Sequence, residues 1–225
     1  MDLKGKVVMM TGASGGLGQA VAPAFIKAGA TLATVNRHAS PIEGAHMAVA
    51  ADVVDEVDVQ RVVAEIIGKA GRIDCLVNLV GGFAMGRAAD TDTALWQKML
   101  SMNLTAAFQL SKAVIPHMSE RHSGRILHIA ARAALDPFPG AAAYLVAKSG
   151  LVALVRVLAA ELTGTGVTVN TILPTTIDTP ANRKSMPDAD PATWVKPESI
   201  AELLIFLASD EGGAVHGALI PIGSG

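Results

Sequence analysis

Thr11-Gly-Ala-Ser-Gly-Gly-Leu-Gly18 joins a short apolar run, residues 7–10, to a segment with helical periodicity, residues 19–28. The order of strand, glycine-rich turn and helix is typical of the start of a βαβ unit. Glycines let the backbone approach a phosphate closely, and a helix N-terminus offers unpaired N–H groups to an anion. The pattern TGxxxGxG differs from the general dinucleotide spacing GxGxxG, and a purely structural tight turn is the alternative. We predict a pyrophosphate site made by Gly12, Ser14, Gly16, Leu17 and Gly18.

Apolar segments and turn residues alternate along the rest of the chain. The pattern predicts strands at residues 31–35, 48–51, 74–80, 125–129, 167–173 and 218–222, and helices at 55–69, 92–118, 144–163 and 197–209. Strands that alternate with helices favour a parallel sheet covered on both faces. We therefore predict an α/β fold: one domain over residues 1–225, with a parallel sheet flanked by helices. The polar segment at about 175–196 lacks periodicity, and we expect it to form a substrate lid.

Composition and charge narrow the class of protein. The chain has 225 residues, of which 51% are hydrophobic and 17% charged, as suits a sheet buried on both faces. Its net charge of −2 is spread along the sequence, so we expect a small-molecule substrate rather than nucleic acid or a membrane. Cys75 is the only cysteine, which excludes an intrachain disulfide and favours a reducing compartment. No apolar run approaches a membrane span and residues 1–6 lack a signal core, so we predict a cytoplasmic protein.

The ends of the second and third predicted strands carry candidate adenosine contacts. An acidic residue after the second strand of such folds binds a free ribose 2′-hydroxyl, whereas this chain has Asn36 and Arg37. A neutral amide followed by a guanidinium favours a 2′-phosphate, and hence NADP over NAD, unless Arg37 is only a solvated loop residue. After the third strand, we expect Asp52 and the Val53 backbone to reach an adenine edge.

Two asparagines and a glycine pair are candidates for the centre of the site. Asn78 lies near the end of a buried strand that Gly81-Gly82 closes, where parallel sheets bind ligands. Asn78 either orients the cofactor or satisfies backbone groups, and both roles are compatible. Asn103 stands among apolar residues and needs hydrogen-bond partners, so it belongs either to a structural network or to the site. We predict no metal site.

Tyr144, the only tyrosine, precedes Lys148 by four residues in a helical segment. Side chains at this spacing share one helix face. An ammonium near a phenol favours the phenolate and lowers the phenol pKa, so the pair is a candidate for acid/base catalysis. The alternative interpretation of the pair is that Lys148 is an ordinary exposed lysine beside a half-buried tyrosine.

The motifs, taken together and in this order, resemble the classical short-chain dehydrogenase/reductase family. They are the glycine turn, Asn78-Leu-Val-Gly81, Asn103, Tyr144-x-x-x-Lys148 and Pro174-x-x-Ile177-x-Thr179. The resemblance implies that Tyr144 transfers a proton, that Lys148 lowers its pKa and holds the nicotinamide ribose, and that Asn103 supports a water relay. It further implies a single Rossmann domain over residues 1–225, with a doubly wound parallel sheet flanked by helices, and hydride transfer to or from NADP or NAD. Cofactor contacts from Pro174, Ile177 and Thr179 and a homo-oligomer, either a dimer or a tetramer, are also implied.

One residue of the family pattern is absent: its serine, thirteen positions before the tyrosine, is Ala131 here. The segments 81–86, 133–140 and 173–187, followed by Trp194, resemble the dihydropteridine-reductase-like members, which also lack the serine. A quinonoid dihydropterin is already electron-poor, so its reduction builds less localised oxyanion charge than ketone reduction does. Asn36-Arg37, however, replaces the acidic residue expected of an NADH-using pterin reductase.

The resemblance leads to one main functional hypothesis and two alternatives. The main one is an NAD(P)H-dependent reductase that transfers hydride to a small conjugated acceptor such as a quinonoid dihydropterin, with Tyr144 as proton donor. The alternatives are a general carbonyl or 3-oxoacyl reductase of the same family and a catalytically weak nucleotide-binding sensor protein.

Overall fold

The computed structural model describes residues 1–223 and confirms the α/β Rossmann fold. All seven strands pair in parallel, in the order β3-β2-β1-β4-β5-β6-β7. The strand order reverses between β1 and β4, which is where such sheets bind ligands at their carboxyl ends. The strands are β1 Val7–Thr11, β2 Thr31–Asn36, β3 Met47–Ala50, β4 Cys75–Asn78, β5 Gly124–Ile129, β6 Val167–Pro174 and β7 Leu219–Ile222.

The α-helices cover both faces of this sheet. Phe25 and Leu204 belong to a core on the face covered by α1 and α7, whereas Ile66, Leu110 and Val155 belong to the core beneath α2, α4 and α5. Burial on both faces explains why the strands read as continuous apolar runs. The helices are α1 Gly18–Lys27, α2 Glu56–Ala70, α3 Thr93–Leu100, α4 Ala106–Glu120, α5 Ala142–Glu161, α6 Pro180–Ser185 and α7 Pro197–Ala208.

The predicted helix at 92–118 is divided by a π-helical segment, Ser101–Thr105. Asp92 caps α3, because its carboxylate accepts a hydrogen bond of 2.7 Å from the Leu95 N–H. The wider π turn contains Asn103, whose side chain binds backbone groups of Gly82 outside the helix. Such segments frequently mark functional sites.

Two connections differ from the sequence-based expectation. Helix α5 begins at Ala142 rather than at Tyr144, because the Ala142 N–H donates to the Gly86 carbonyl and fixes the helix start. The segment 175–196 is not irregular throughout: it contains α6 and a 3₁₀ turn, Pro191–Thr193. Thr179 caps α6 by accepting from the Asn182 N–H, and proline at the first helical position is pre-set for a helix.

Residues 37–46 connect parallel strands β2 and β3 without a helix. Such crossovers usually run through a helix of a dozen or more residues. Here Ile42 packs against the core below α1, and the His46 N–H donates to the Leu32 carbonyl. The short connection leaves Arg37 exposed beside the end of β2.

By length and composition α5 is apolar enough to cross a membrane. The expectation that no segment reaches this length is therefore wrong for α5. The helix packs against β6 and α3, and Leu151 and Val155 lie in the core. Packing thus accounts for the apolar character of its inner face.

Candidate active site

The glycine turn brings the end of β1, the start of α1 and the end of β4 into contact. Gly12 has a φ of +72°, which favours glycine, and a Cβ there would lie 3.1 Å from the Leu79 carbonyl carbon. A Cβ on Gly18 would lie 2.5 Å from the Gly12 carbonyl oxygen and would also overlap the Ala13 carbonyl oxygen. Both glycines are therefore required by close backbone approach.

Gly18→Ala should lower the free energy of unfolding by more than about 3 kcal/mol, because backbone atoms on both sides prevent relief of the overlap. The matched control is Gly68→Ala in α2, where a Cβ meets nothing within 4 Å. That substitution should stabilise the protein by about 0.5–1 kcal/mol, since alanine favours a helix interior. Urea unfolding of both variants measures the contrast, and equal stabilities would contradict it.

A cleft of about 360 Å³ lies between the glycine turn and the ends of β2 and β4. Seven of the residues predicted to bind cofactor line it, namely Gly12, Ser14, Asn36, Arg37, Asp52, Val53 and Gly81. Sequence reasoning missed seven others, which are Gly15, Val35, Ala51, Val54, Leu79, Val80 and Met102. Most of these are apolar, and no pattern distinguishes an apolar cleft wall from an apolar core.

Asn36 lies buried at the end of β2, where it contacts the glycine turn and lines the cleft. Its Oδ1 accepts hydrogen bonds of 3.0 Å from both the N–H and the hydroxyl of Ser14. Its Nδ2 is buried and has no partner among residues 1–223. An unpaired buried donor is costly, and a ribose oxygen in the cleft would satisfy it. The residues present therefore fit a dinucleotide.

Arg37 and Asp52 lie at the open edge of the same cleft. Within the described residues the Arg37 guanidinium has no hydrogen bond or ion pair, so it is free to bind an anion. The Asp52 carboxylate accepts from the Val54 N–H at 3.2 Å, and the Asp52 N–H donates to Asp58. Asp52 thus uses part of its hydrogen-bonding capacity to form the local turn, and that part does not bind the adenine edge as we predicted.

The start of the predicted lid contacts the glycine turn. A Cβ on Gly16 would lie 3.1 Å from the Thr179 Cβ, so these two segments are in direct contact. Pro174 is buried at the end of β6, and Ile177 and Leu17 pack against the core shared with α1. None of these residues lines the cleft, and their cofactor contacts remain predictions.

Tyr144 lies in the first turn of α5, and its hydroxyl has no hydrogen-bond partner among residues 1–223. The Phe83 ring contacts the tyrosine ring edge to face, with centroids 4.9 Å apart. Burial raises the pKa of Tyr144 to about 12. In the chain alone the net shift of this pKa is therefore opposite to the lowering that we predicted, because desolvation of the phenol is the effect that moves it.

Lys148 is buried, and its Nζ donates a hydrogen bond of 2.7 Å to the Ile129 carbonyl at the end of β5. Burial lowers the pKa of Lys148 to about 8, because the charged form loses hydration. The alternative of an exposed lysine is excluded by this burial. A lysine kept in the core close to its titration point is typical of a functional group.

Asn103 is held by hydrogen bonds to Gly82, in the glycine pair that follows β4. Its Oδ1 accepts from the Gly82 N–H at 3.1 Å, and its Nδ2 donates to the Gly82 and Met99 carbonyls at 3.0 Å each. A Cβ on Gly81 would lie 2.9 Å from Asn103 Oδ1 and 3.3 Å from Lys148 Nζ. Glycine at position 81 therefore lets both side chains approach the turn, and the water relay remains a prediction.

Asn78 is buried beneath the cleft and does not line it. Its Oδ1 accepts from the Thr11 hydroxyl at 2.7 Å and from the Val80 N–H at 3.1 Å. Ala131 is buried after β5, and its carbonyl accepts from the Ala134 N–H. Among residues 1–223, no cluster of three or more His, Cys, Asp or Glu side chains is placed to hold a metal.

The sequence profile described as short chain dehydrogenase matches residues 6–190. The chain belongs to this family. Its members are NAD(P)-dependent oxidoreductases, and in this fold Gly81 lines the cleft and approaches Lys148, which lies one helical turn from Tyr144.

Three known proteins illustrate the relationship. The chain is 35% identical to D-threitol dehydrogenase of Mycolicibacterium smegmatis, over 99% of this chain and 93% of that protein. It is 30% identical to a 3-oxoacyl-(acyl-carrier-protein) reductase of Thermotoga maritima, over 100% and 99% of the two chains. The structure of a Brucella melitensis 3-ketoacyl-(acyl-carrier-protein) reductase complexed with NADH superposes with a TM-score of 0.89, at 28% identity, covering 100% of this chain and 99% of that one. None of these names refers to a pterin.

Proposed function

We propose that the protein is an NAD(P)H-dependent reductase that delivers hydride to a small, planar, conjugated acceptor such as a quinonoid dihydropterin. The observation that carries this proposal is an unpaired Tyr144 hydroxyl one helical turn from a buried Lys148, with alanine instead of a hydroxyl residue at position 131. When bound, the nicotinamide supplies the hydride.

The residues of the chain supply the proton and position the groups around it. Tyr144 has no competing partner among residues 1–223, and its high pKa means that the phenol carries a proton at neutral pH. Lys148, a cation when protonated, stabilises the phenolate that forms. Asn103 holds Gly82, and Gly81 leaves space for both Asn103 and Lys148. The site is thus arranged for proton donation beside the cleft.

The surroundings of Tyr144 favour an apolar, flat acceptor. Phe83 contacts the tyrosine ring and is itself exposed, and the Met85 methyl group would meet a Cβ on Gly140 at 3.1 Å. Phe138, in the loop before α5, and Met186, in the predicted lid, are also exposed. Contiguous exposed apolar patches mark binding sites, so we propose that these side chains together line the acceptor site. An acceptor that stacks on such groups needs fewer hydrogen bonds for orientation.

The relatives named above support a second candidate, a general carbonyl or 3-oxoacyl reductase. Ala131→Ser separates the two candidates, because it introduces a hydroxyl donor where the family has one. If the acceptor is conjugated, we expect Ala131→Ser to change turnover of quinonoid dihydropterin by less than about threefold. A gain on simple ketones of about a hundredfold, the size of an oxyanion-hole donor, would favour the carbonyl reductase instead.

NADPH is the proposed preferred cofactor. Arg37 is unpaired at the mouth of the cleft, and Asn36, which also lines the cleft, is neutral and has an unpaired Nδ2. Arg37→Ala should weaken NADPH binding by about tenfold and change NADH binding by less than about twofold, since only NADPH carries the 2′-phosphate. Asn36→Asp should reverse the preference by repelling that phosphate. Fluorescence titration with both cofactors tests this, and equal losses of both would contradict it.

The proposal includes assembly as a homo-oligomer, either a dimer or a tetramer, in the cytoplasm. Phe108 on α4 and Val146 and Val157 on α5 are large apolar side chains left exposed in the single chain. An interface across these two helices would cover them. The buried free thiol of Cys75 accords with a reducing compartment. Analytical ultracentrifugation of the wild type tests the assembly.

A further inference from the structure

His128 is a fully buried histidine on β5, directly below the catalytic region, that the proposed reaction does not use. It pairs in register with Asn78 on β4 and Thr171 on β6. Its Nδ1 lies 3.3 Å from Asn78 Nδ2, and its Nε2 lies 3.0 Å from the Ser111 hydroxyl of α4. The imidazole therefore bridges the strand under the cleft and a helix of the outer layer.

The hydrogen-bond pattern determines which imidazole nitrogen carries the proton. Asn78 Oδ1 accepts from Val80 N–H and the Thr11 hydroxyl, so the Asn78 NH₂ group faces His128. An NH₂ group only donates, and His128 Nδ1 must accept. The proton is then on Nε2, which donates to the Ser111 oxygen.

The rest of the network agrees with this assignment. The Ser111 hydroxyl donates onward to the Ala107 carbonyl at 2.8 Å, which leaves its oxygen free to accept from Nε2. Burial, together with the charge of Lys148, lowers the pKa of His128 to about 3, so the ring is neutral.

The same network controls the backbone that forms the floor of the cleft. Asn78 Oδ1 is the acceptor for the Val80 N–H, and this bond sets the path of the chain as it leaves β4. Val80 and Gly81 line the cleft, and Gly81 makes the close approach to Lys148. A reversed Asn78 amide would direct NH₂ at the Val80 N–H and lose this bond.

We propose that His128 is a positioning residue for dinucleotide binding: its Nδ1 acceptor fixes the orientation of the Asn78 amide, and Asn78 fixes the Val80–Gly81 floor. The inference rests on the proposed function for the identity of the ligand. It assigns to Nδ1 a role that Nε2 does not share, because only Nδ1 contacts Asn78. If His128 only filled space in the core, replacing the Nδ1 contact and replacing the Nε2 contact would have the same effect on dinucleotide binding.

Two amide substitutions separate the two ring nitrogens. The Oδ1 of His128→Asn can take the place of Nδ1 and accept from Asn78, although the bond to Ser111 is lost. The longer side chain of His128→Gln reaches the Nε2 position and keeps a partner in Ser111, but it leaves Asn78 Nδ2 facing a methylene group. Both variants remove one buried hydrogen bond, so both should lose stability. Val169 is buried on β6, and its apolar side chain forms no part of the His128–Asn78 hydrogen bonds. Val169→Ala therefore serves as a control that lowers stability by a similar amount but leaves those hydrogen bonds in place.

The test combines NADPH titration with amide hydrogen exchange at Val80 in the protein without NADPH. For His128→Gln we expect an increase of about tenfold in the Kd and KM for NADPH, the effect of one unsatisfied buried group, and faster Val80 exchange. For His128→Asn and Val169→Ala we expect a Kd within about threefold of wild type. Asn78→Ala should reproduce the effect of His128→Gln and serves in its place if the glutamine variant does not fold.

The outcomes are distinguishable. Equal Kd values for the His128→Gln, His128→Asn and wild-type proteins overturn the inference, as does an Nδ1–H tautomer of His128 in ¹⁵N NMR spectra. If wild type binds neither NADPH nor NADH, the proposed function fails, and the tautomer with the Val80 exchange rates still decides whether His128 positions the turn.

Discussion

Tyr144→Phe should reduce turnover of quinonoid dihydropterin with NADPH by about 10²–10⁴-fold, the usual contribution of a positioned general acid. The substitution removes only the hydroxyl, which has no partner among residues 1–223, so no structural hydrogen bond is lost. The ring that contacts Phe83 remains. Stability and NADPH affinity should therefore stay close to wild type, and the loss should fall on kcat rather than on cofactor binding.

Steady-state kinetics and fluorescence titration of the same preparation measure this separation. Phe83→Leu is a suitable control, because it alters the aromatic contact but keeps the tyrosine hydroxyl. We expect it to raise KM for the acceptor with a smaller change in kcat. If Tyr144→Phe retained more than about a tenth of the wild-type kcat, another group would have to supply the proton.

Lys148→Met should abolish most activity and at the same time stabilise the protein at pH 7. Lys148 is buried with one described hydrogen bond, to the Ile129 carbonyl, and no salt bridge among the described residues. Its pKa is lowered from 10.5 to about 8, so the folded protein holds the charge at a cost when the pH is below about 8. Replacing the ammonium by an apolar side chain of similar length removes that cost, and we expect a gain of roughly 1–3 kcal/mol.

The sign of the pH dependence follows from the lowered pKa. Between pH 8 and 10.5 the unfolded chain keeps the Lys148 proton and the folded chain releases it. The unfolded state therefore binds more protons, and this group's contribution to wild-type stability rises with pH across that window. The advantage of Lys148→Met should be largest at pH 7 and should shrink towards pH 10. Urea unfolding at several pH values measures the difference, and a variant less stable than wild type at pH 7 would contradict the expectation.

Residue patterns predicted the architecture because periodicity and glycine placement are local properties. The apolar runs correspond to all seven strands, and the glycine turn leads into α1 as expected. The π segment around Asn103 was not predictable, since it depends on hydrogen bonds to Gly82, which lies 21 positions away in the sequence. The start of α5 at Ala142 likewise depends on pairing with Gly86.

The site was predictable in its polar members and not in its apolar ones. Asn36, Arg37 and Asp52 lie at or just after the carboxyl ends of strands, and the parallel topology places them around one cleft. Leu79, Val80 and Met102 line the same cleft but read as core residues. The pKa of Tyr144 was predicted in the wrong direction, because sequence spacing shows a nearby charge but does not show the burial that outweighs it.

Oxidation of NADPH or NADH in the presence of quinonoid dihydropterin, followed by the absorbance of the reduced nicotinamide, tests the central claim most directly. We expect wild type to turn over the pterin, to do so with NADPH in preference to NADH, and to lose this activity in Tyr144→Phe. Absence of pterin turnover with either cofactor, in a preparation that binds NADPH and reduces a 3-oxoacyl substrate, would contradict the account.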